Sequence, residues 1–534
     1  MKLTLLSLFI LFFVNVSNAQ FTPTDYAFTW GEEQKQKGKA TLEDILDSDE
    51  NGFVVLKSTA RRKLIATSVE NIYNYSYTLE HYNPKLKRDK QIPLELDRFG
   101  KDTELLKLVK LRDKLYFFVS VLNKQNKDNE LWVGSADYNT LKIDKTKTKL
   151  ITLNYNDYSK KNSGKFRIHT SRDDSRLIVY FRNPAKKNEN AAIGFQVYNN
   201  QMELQYQHSQ KLNFKEDLLD FEKMYVDEEG NAYSLFKIYK NKRDDEKKGE
   251  ANYYYLISSY LEEGKQINDY KISLPGLFIA DMSFTVDDMD QIICSGFYSN
   301  EGVLNYQGTY YQRINRLTGE VVKSSKKAFD PGFIMENLSG KEARKNSRKA
   351  RRGDEMGLSD FVLGDLILRD DGGCVLVAEQ YEEKWITSTV NNQYSSYKLY
   401  YFNDIIVVNI DANGEIGWSK KFPKRQVAND QIISFASYSI AVVNDKIALM
   451  YNDHKDNLKI GANEKPTRIN GLNKMITILA LISVDGEESK HSLFSIKDAD
   501  KIVTRPARSE QIDEHTLIIY CERGKKERFA KLKL

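Results

Sequence analysis

The stretch Asp173-Asp174-Ser175-Arg176 before Leu177-Ile178-Val179-Tyr180, with Phe195-Gln196-Val197-Tyr198 before Asn199-Asn200 a little further on, decides the fold. Asp, Asn and Ser make turns because their short side chains hydrogen-bond the nearby backbone and tolerate left-handed conformations. The apolar run after the first turn is rich in β-branched and aromatic residues and is too short for a helix, so it reads as a buried strand. The second run, closed by Asn199-Asn200, is the next strand and its hairpin.

The same unit recurs along the chain. Acidic or Asn/Gly turns precede apolar runs that begin at Phe53, Leu115, Leu177, Ala232, Ile292, Cys374, Ile447 and Leu517, spaced 55 to 82 residues apart. The turns include Asp47 to Gly52, Arg112-Asp113-Lys114, Asp370-Asp371-Gly372-Gly373 and Asn444-Asp445. Second hairpin signals follow at Asn83-Pro84, Asn199-Asn200, Glu263-Gly264, Thr318-Gly319, Asn413-Gly414 and Asp485-Gly486. Two hairpins make a four-stranded antiparallel sheet, and a ring of such sheets leaves only short protected edges.

The expectation is therefore an all-β chain, a β-propeller of seven or eight four-stranded antiparallel blades, with a two-sheet sandwich array as the alternative. Units fall near residues 41–95, 104–153, 164–213, 219–275, 277–330, 360–424, 430–498 and 505–534 within one domain, 20–534. The last unit is short of a strand. Residues 25–30 supply it in the eight-blade version by pairing with residues 528–532, which would close the ring and cover an edge.

Composition narrows the function classes. The 534 residues are 41% hydrophobic and 12% aromatic, and 80 basic against 75 acidic residues leave a net charge of +5. A near-balanced surface excludes the concentrated positive field of a nucleic-acid binder. Residues 1–19 read as an export signal: Lys2, an apolar run from Leu3 to Val14, and Ser17-Asn18-Ala19 as the cleavage site before Gln20. That run is too short to span a bilayer, and Met475 to Val484 is one buried strand, so the mature chain is expected to lack a transmembrane segment and to be periplasmic or at the cell surface.

Cys294, Cys374 and Cys521 are an odd number, each inside an apolar run, and read as buried thiols acting as small hydrophobes. No histidine or cysteine spacing suits a metal, and no cofactor motif is present. The loop starting at Asp47 resembles the opening of a calcium loop, but Ser58 stands where the bidentate Glu belongs, so it is a plain hairpin turn.

Two insertions interrupt the repeat and supply the candidate binding residues. The basic insertion, residues 340–357, carries Lys341, Arg344, Arg348, Arg351 and Arg352, a cluster that attracts phosphates or acidic polymers. If it is helical, Arg344 and Arg348 share a face. The second insertion, from Glu382 to Tyr401, carries Trp385, Tyr394 and Tyr397, a stacking platform for sugar rings or a protein. The bland readings are a solvated loop and an extended hairpin whose aromatics pack on one another. No catalytic residues are assigned; carboxylates at a propeller axis would come from distant units and leave no local signature, and Asp365, Glu379 and Asp404 are the ones placed in or beside apolar strands.

The segments Asp371-Gly372-Gly373-Cys374-Val375-Leu376-Val377-Ala378-Glu379-Gln380-Tyr381, Asn403-Asp404-Ile405-Ile406-Val407-Val408-Asn409-Ile410 and Gly414-Glu415-Ile416-Gly417-Trp418-Ser419-Lys420-Lys421-Phe422-Pro423-Lys424-Arg425-Gln426 resemble a group of exported, functionally uncharacterised propeller-like proteins of Bacteroidota. The likeness is close over residues 361–429 and a matter of pattern elsewhere. It implies a bacterial envelope setting and brings no catalytic residues. The expected function is a non-catalytic binding or scaffolding module for an envelope protein or polysaccharide. The alternatives are a glycan-active enzyme with axial carboxylates and an accessory component of a secretion or motility assembly.

Overall fold

At the Asp173 turn the carboxylate accepts from Ser175 N at 2.9 Å and Ser171 Oγ at 2.7 Å, and Asp174 takes a φ of 55°, the left-handed conformation that Asp tolerates. The turn reverses strand Lys165–Thr170 into Arg176–Arg182, which pairs with Asn190–Asn199 and that with Leu204–Lys215, all antiparallel. Asn199 makes the last reversal, its Oδ1 accepting from Gln201 N and Glu203 N, both at 3.0 Å. This is one unit of a computed structural model that describes residues 28–36, 40–63, 72–159, 162–247, 249–338, 340–352, 356–390, 393–430, 432–443, 446–461, 464–469 and 471–534.

Eight such sheets follow one another among the described residues: sheet 1 (40–94), sheet 2 (103–154), sheet 3 (165–215), sheet 4 (219–272), sheet 5 (278–328), sheet 6 (361–428), sheet 7 (438–495) and sheet 8 (503–533 with 28–35). Six have four strands; in sheets 6 and 8 two short strands share the first position and two more the last. The all-β expectation in units of four antiparallel strands holds. In sheet 8, Phe28 pairs with Leu532, Thr29 with Lys531 and Trp30 with Ala530, and Gln34–Lys35 continues along the same strand. The expected partners at positions 25–27 lie outside the described residues, as do residues 1–19 and the Asn444-Asp445 turn.

The apolar runs are continuous because their strands are covered on both faces. Leu177 and Val179 point into a core shared with Phe118 and Leu131 of sheet 2, while Ile178 and Tyr180 point into one shared with Phe236 and Leu256 of sheet 4. Phe117 and Phe118, Ile292 and Ile293, and Leu376 and Val377 divide in the same way. Every sheet shares a core with the next, and sheet 8 shares one with sheet 1 through Ile518, Tyr520 and Phe529 against Phe53, Val55 and Tyr82. The three cysteines sit in these second strands as buried free thiols, and burial pushes Cys374 and Cys521 up to about 12.

The two insertions take regular form. The basic one contains helix α1 (Pro331–Met335) on its approach and helix α2 (Gly340–Arg352), held at its middle by the buried Asn346 side chain near Gly357. The aromatic one is no separate loop: it prolongs the two middle strands of sheet 6 into a hairpin, Cys374–Val390 against Gln393–Ile410. Among the described residues no helix is long and apolar enough to cross a membrane.

A buried ion cluster ties sheet 1 to sheet 8. Lys57 Nζ lies 2.6 Å from Glu80 Oε2 and 2.5 Å from Glu527 Oε1, and Gln36 Nε2 donates to Glu527 Oε2 at 3.1 Å and to Glu522 Oε2 at 3.2 Å. Replacing one partner of such a cluster strands the charges that remain. Lys57→Met is expected to lower the unfolding free energy by about 3–5 kcal/mol, read from the urea midpoint at constant m-value. A change well under about 1 kcal/mol, the range of exposed pairs, would show that the cluster does not hold the two sheets together.

Candidate functional site

The first strand of each sheet differs from the second. In Lys165-Phe166-Arg167-Ile168-His169-Thr170 the apolar residues are buried and the charged ones are exposed, the period of a strand with one covered face. Asp44 of sheet 1, Lys107 of sheet 2, Glu222 and Lys223 of sheet 4, Asp281 of sheet 5 and Glu510 of sheet 8 occupy first strands too, and Asp365 lies between the two short first strands of sheet 6, Phe361–Leu363 and Ile367–Leu368.

These side chains meet across the molecule. Lys223 Nζ is 2.9 Å from Asp365 Oδ1, so sheet 4 reaches sheet 6 past sheet 5. His169 is lowered mainly by burial and then by the Lys107 charge, with Asp365 opposing. Glu510 is raised to about 7 by burial and then by Asp44, with Lys107 opposing across sheet 1. Asp44 is itself raised by burial, against the pull of Lys107 and Arg508. First strands of non-adjacent sheets therefore share one space, and Glu510 sits in a recess that water reaches but that protein encloses on most sides.

Beside Glu510 the shared space widens into a cavity of about 570 Å³ between sheets 6, 7 and 8. The cause is sheet 7, whose first strand Tyr438-Ser439-Ile440-Ala441-Val442-Val443 carries no charged side chain to cross the gap. Glu379 lines the opposite wall; it accepts from Lys424 Nζ at 2.5 Å and from Ser437 Oγ at 2.6 Å, and Lys424 is fully buried. Ser439 Oγ, buried on the cavity wall, has no hydrogen-bond partner. Tyr381 and Phe402 complete the wall with their rings 4.9 Å apart.

Tyr381 and Phe402 form the foot of the long hairpin. Pairing of Glu383 with Tyr400 and Trp385 with Lys398 puts Tyr381, Phe402, Tyr400 and Trp385 on one face of the ribbon, leading out of the cavity to Trp385, which is 70% exposed. Tyr397 pairs with Ile386 and lies on the other face, so the Trp385, Tyr394 and Tyr397 platform does not assemble as one surface. Tyr394 pairs with Thr389 and has the register of the Trp385 face; its side chain lies outside the described ones. Lys341, Arg344, Arg348, Arg351 and Arg352 are exposed on α2, which leads into sheet 6 at the end from which the hairpin rises, since Phe361 pairs with Gln380. Of the carboxylates singled out by sequence, Glu379 lines the cavity, Asp365 lies in the shared space, and Asp404 borders a separate cavity of about 40 Å³.

Sequence reasoning missed Glu510, Asp44, Lys107, His169 and Lys223. The available signal was the alternation in the strand after each inter-unit linker, charged where the following strand is uniformly apolar. The site can stack planar or ring-shaped groups, donate hydrogen bonds from serine and tyrosine, and present one carboxyl that titrates near neutrality beside one fixed by a lysine.

No family model and no curated protein matches the chain. Solved structures resemble it in fold alone. They include the β-propeller domain of the Trilobed protease from Pyrococcus furiosus, 12% identical over 87% of this chain and 98% of that one with a TM-score of 0.35. The WD40 domain of SCAP from fission yeast is 9% identical over 95% and 98%, at 0.38, and a duf4221 member from Bacteroides vulgatus is 10% identical over 83% and 100%, at 0.29. An all-β fold of four-stranded antiparallel sheets thus has β-propellers among its structural neighbours.

The Glu510 proton gives a pH signature. An unfolded glutamate releases its proton near 4.5 while Glu510 keeps it to about 7, so rising pH across that window favours the unfolded chain. Glu510→Gln is expected to be more stable than the parent at about pH 8 and equal to it at about pH 4, where both side chains are neutral. Thermal melts at the two pH values decide it, and a variant less stable at the higher pH would mean that the fold favours the carboxylate.

Proposed function

We propose that the chain is an exported β-propeller of eight blades, closed by its N-terminal strand, that binds a polysaccharide of the cell envelope without transforming it. The observation that carries the reading is the cavity walled by Tyr381 and Phe402 and continued by the Trp385 face of the hairpin. Sugar rings stack on aromatic faces and their hydroxyls need paired donors and acceptors, which Ser439, Glu379 and Glu510 offer. Eight blades are supported by eight sheets with a core at every junction, and closure by the core between sheets 8 and 1 and the Lys223–Asp365 ion pair across the middle. Export rests on the leader-like residues 1–19 and on the Bacteroidota resemblance. The cations of α2, at the same end of sheet 6, would favour an acidic polymer.

A second reading has one observation in its favour. Glu510 and Glu379 line the same cavity, and a glycoside hydrolase works with two carboxyl groups flanking the bond it cuts, which would make Glu510, raised to about 7, the acid.

Binding of the chain from Gln20 onward to immobilised envelope polysaccharides tests both. Trp385→Ala and Tyr381→Ala are each expected to weaken binding by about five- to tenfold without release of sugar. Parental affinity in both variants would sink the binding site. Sugar release that is lost in Glu510→Gln would replace the binding reading with the hydrolytic one.

A further inference from the structure

A second cavity, of about 280 Å³, opens between sheets 3 and 4. Its volume is at the small end of ligand sites, the size for a metabolite rather than a polymer. The walls are of two kinds. Phe181 and Phe221 give apolar surface, with Phe221 stacked near Tyr180 at 5.4 Å and near Phe236 at 5.1 Å, so the rings are anchored by the core behind them. Lys165 and Arg167 give positive charge at the rim.

The charges in this cavity do not cancel within it. Arg182 is consumed by Glu216, with Nη2 at 2.7 Å from Oε1 and Nε donating to Oε2 at 3.1 Å, and also donates to the Glu216 and Leu219 carbonyls. Arg167 donates from one nitrogen to the Glu222 carbonyl, at 2.7 Å, and the Glu222 carboxyl, which feels the Arg167 charge, does not line the cavity. Lys165 forms no ion pair among the described residues.

Two lining groups are also left unsatisfied. Tyr180 is 1% exposed, and its hydroxyl makes no well-formed hydrogen bond, with only the Arg167 guanidinium and the Met224 backbone near it. Asn183 Oδ1 is equally enclosed and unpartnered. Buried polar atoms without partners are costly, and a cluster of them on a cavity wall calls for something to meet them. A carboxylate would take the Tyr180 proton and the two cations, and a hydroxyl or amine beside it would donate to Asn183.

We propose that this cavity binds a small α-hydroxy or α-amino carboxylate with an apolar or aromatic side chain, independently of the site between sheets 6, 7 and 8. The carboxylate lies toward Lys165, Arg167 and the Tyr180 hydroxyl, and the side chain against Phe181 and Phe221.

Titration calorimetry of the chain from Gln20 onward with phenyllactate, phenylacetate and 2-phenylethanol tests it. Phenyllactate is expected to bind with a dissociation constant below about 1 mM, phenylacetate more weakly for want of the donor, and 2-phenylethanol not at all. Tyr180→Phe and Lys165→Met are each expected to weaken phenyllactate about tenfold, since each removes a hydrogen bond or charge to the carboxylate. Trp385→Ala leaves the affinity unchanged, which separates this site from the polysaccharide site. Because the Tyr180 hydroxyl makes no well-formed internal hydrogen bond, Tyr180→Phe should melt no lower than the parent. No phenyllactate binding to the parent, parental affinity in Tyr180→Phe, or a lowered melting temperature in that variant would each overturn the proposal.

Discussion

A sheet that is apolar on both faces cannot stand at the end of a row. Leu177 and Ile178 face opposite ways, and so do Phe117 and Phe118, so each middle sheet needs a neighbour on either side. The same holds for the first and the last: Val54 and Val55 of sheet 1 point into different cores, and so do Ile518 and Ile519 of sheet 8. Exposing either face would cost on the order of 1.5–3 kcal/mol for each large side chain. The Phe53, Tyr82 and Phe529 cluster, with Lys57 and its two glutamates at its border, is where that cost is avoided.

The chemistry of the candidate site follows from the same arrangement. When two faces of every sheet are covered by cores, charge is left to the edge strands, and the first edges converge. Opposite signs then meet across the gap: Lys223 pairs with Asp365, while the Lys107 charge acts on Asp44 and Glu510 from a distance. Sheet 7 contributes no charge, and there the space stays open and a carboxyl goes short of a counter-ion. The hairpin of sheet 6 rises beside this gap because the two strands that carry it are the extended middle strands of the neighbouring sheet.

How much of this was readable in the residues depends on distance along the chain. The turns at Asp173 and Asn199, the buried runs that follow, and the need of the last unit for a strand near Trp30 are local facts, and the fold class follows from them. That Glu379 would matter was readable from its place in an apolar strand. That Glu510 would titrate near neutrality was not, because Asp44 and Lys107, which set its field, lie hundreds of residues away. The split of Trp385 from Tyr397 turns on register: a shift between Glu379 and Tyr381 and the pairing at the hairpin tip decide which side each ring takes, and composition does not encode either.

The pairing of Phe28 with Leu532 also sets an order of events in time. Seven sheets are made from contiguous segments, but sheet 8 pairs residues 28–35 with strand Lys526–Lys533, about five hundred residues away along the sequence. Pairing across so long a separation brings no gain until the sheets between are in place, so residues 28–35 are expected to dock last. Until then one edge of Lys526–Lys533 stays unpaired and open to the matching strand of a second molecule. The hazard of this architecture is thus kinetic: a molecule whose residues 28–35 have not docked exposes a strand edge, and its natural failure is exchange of that strand between molecules.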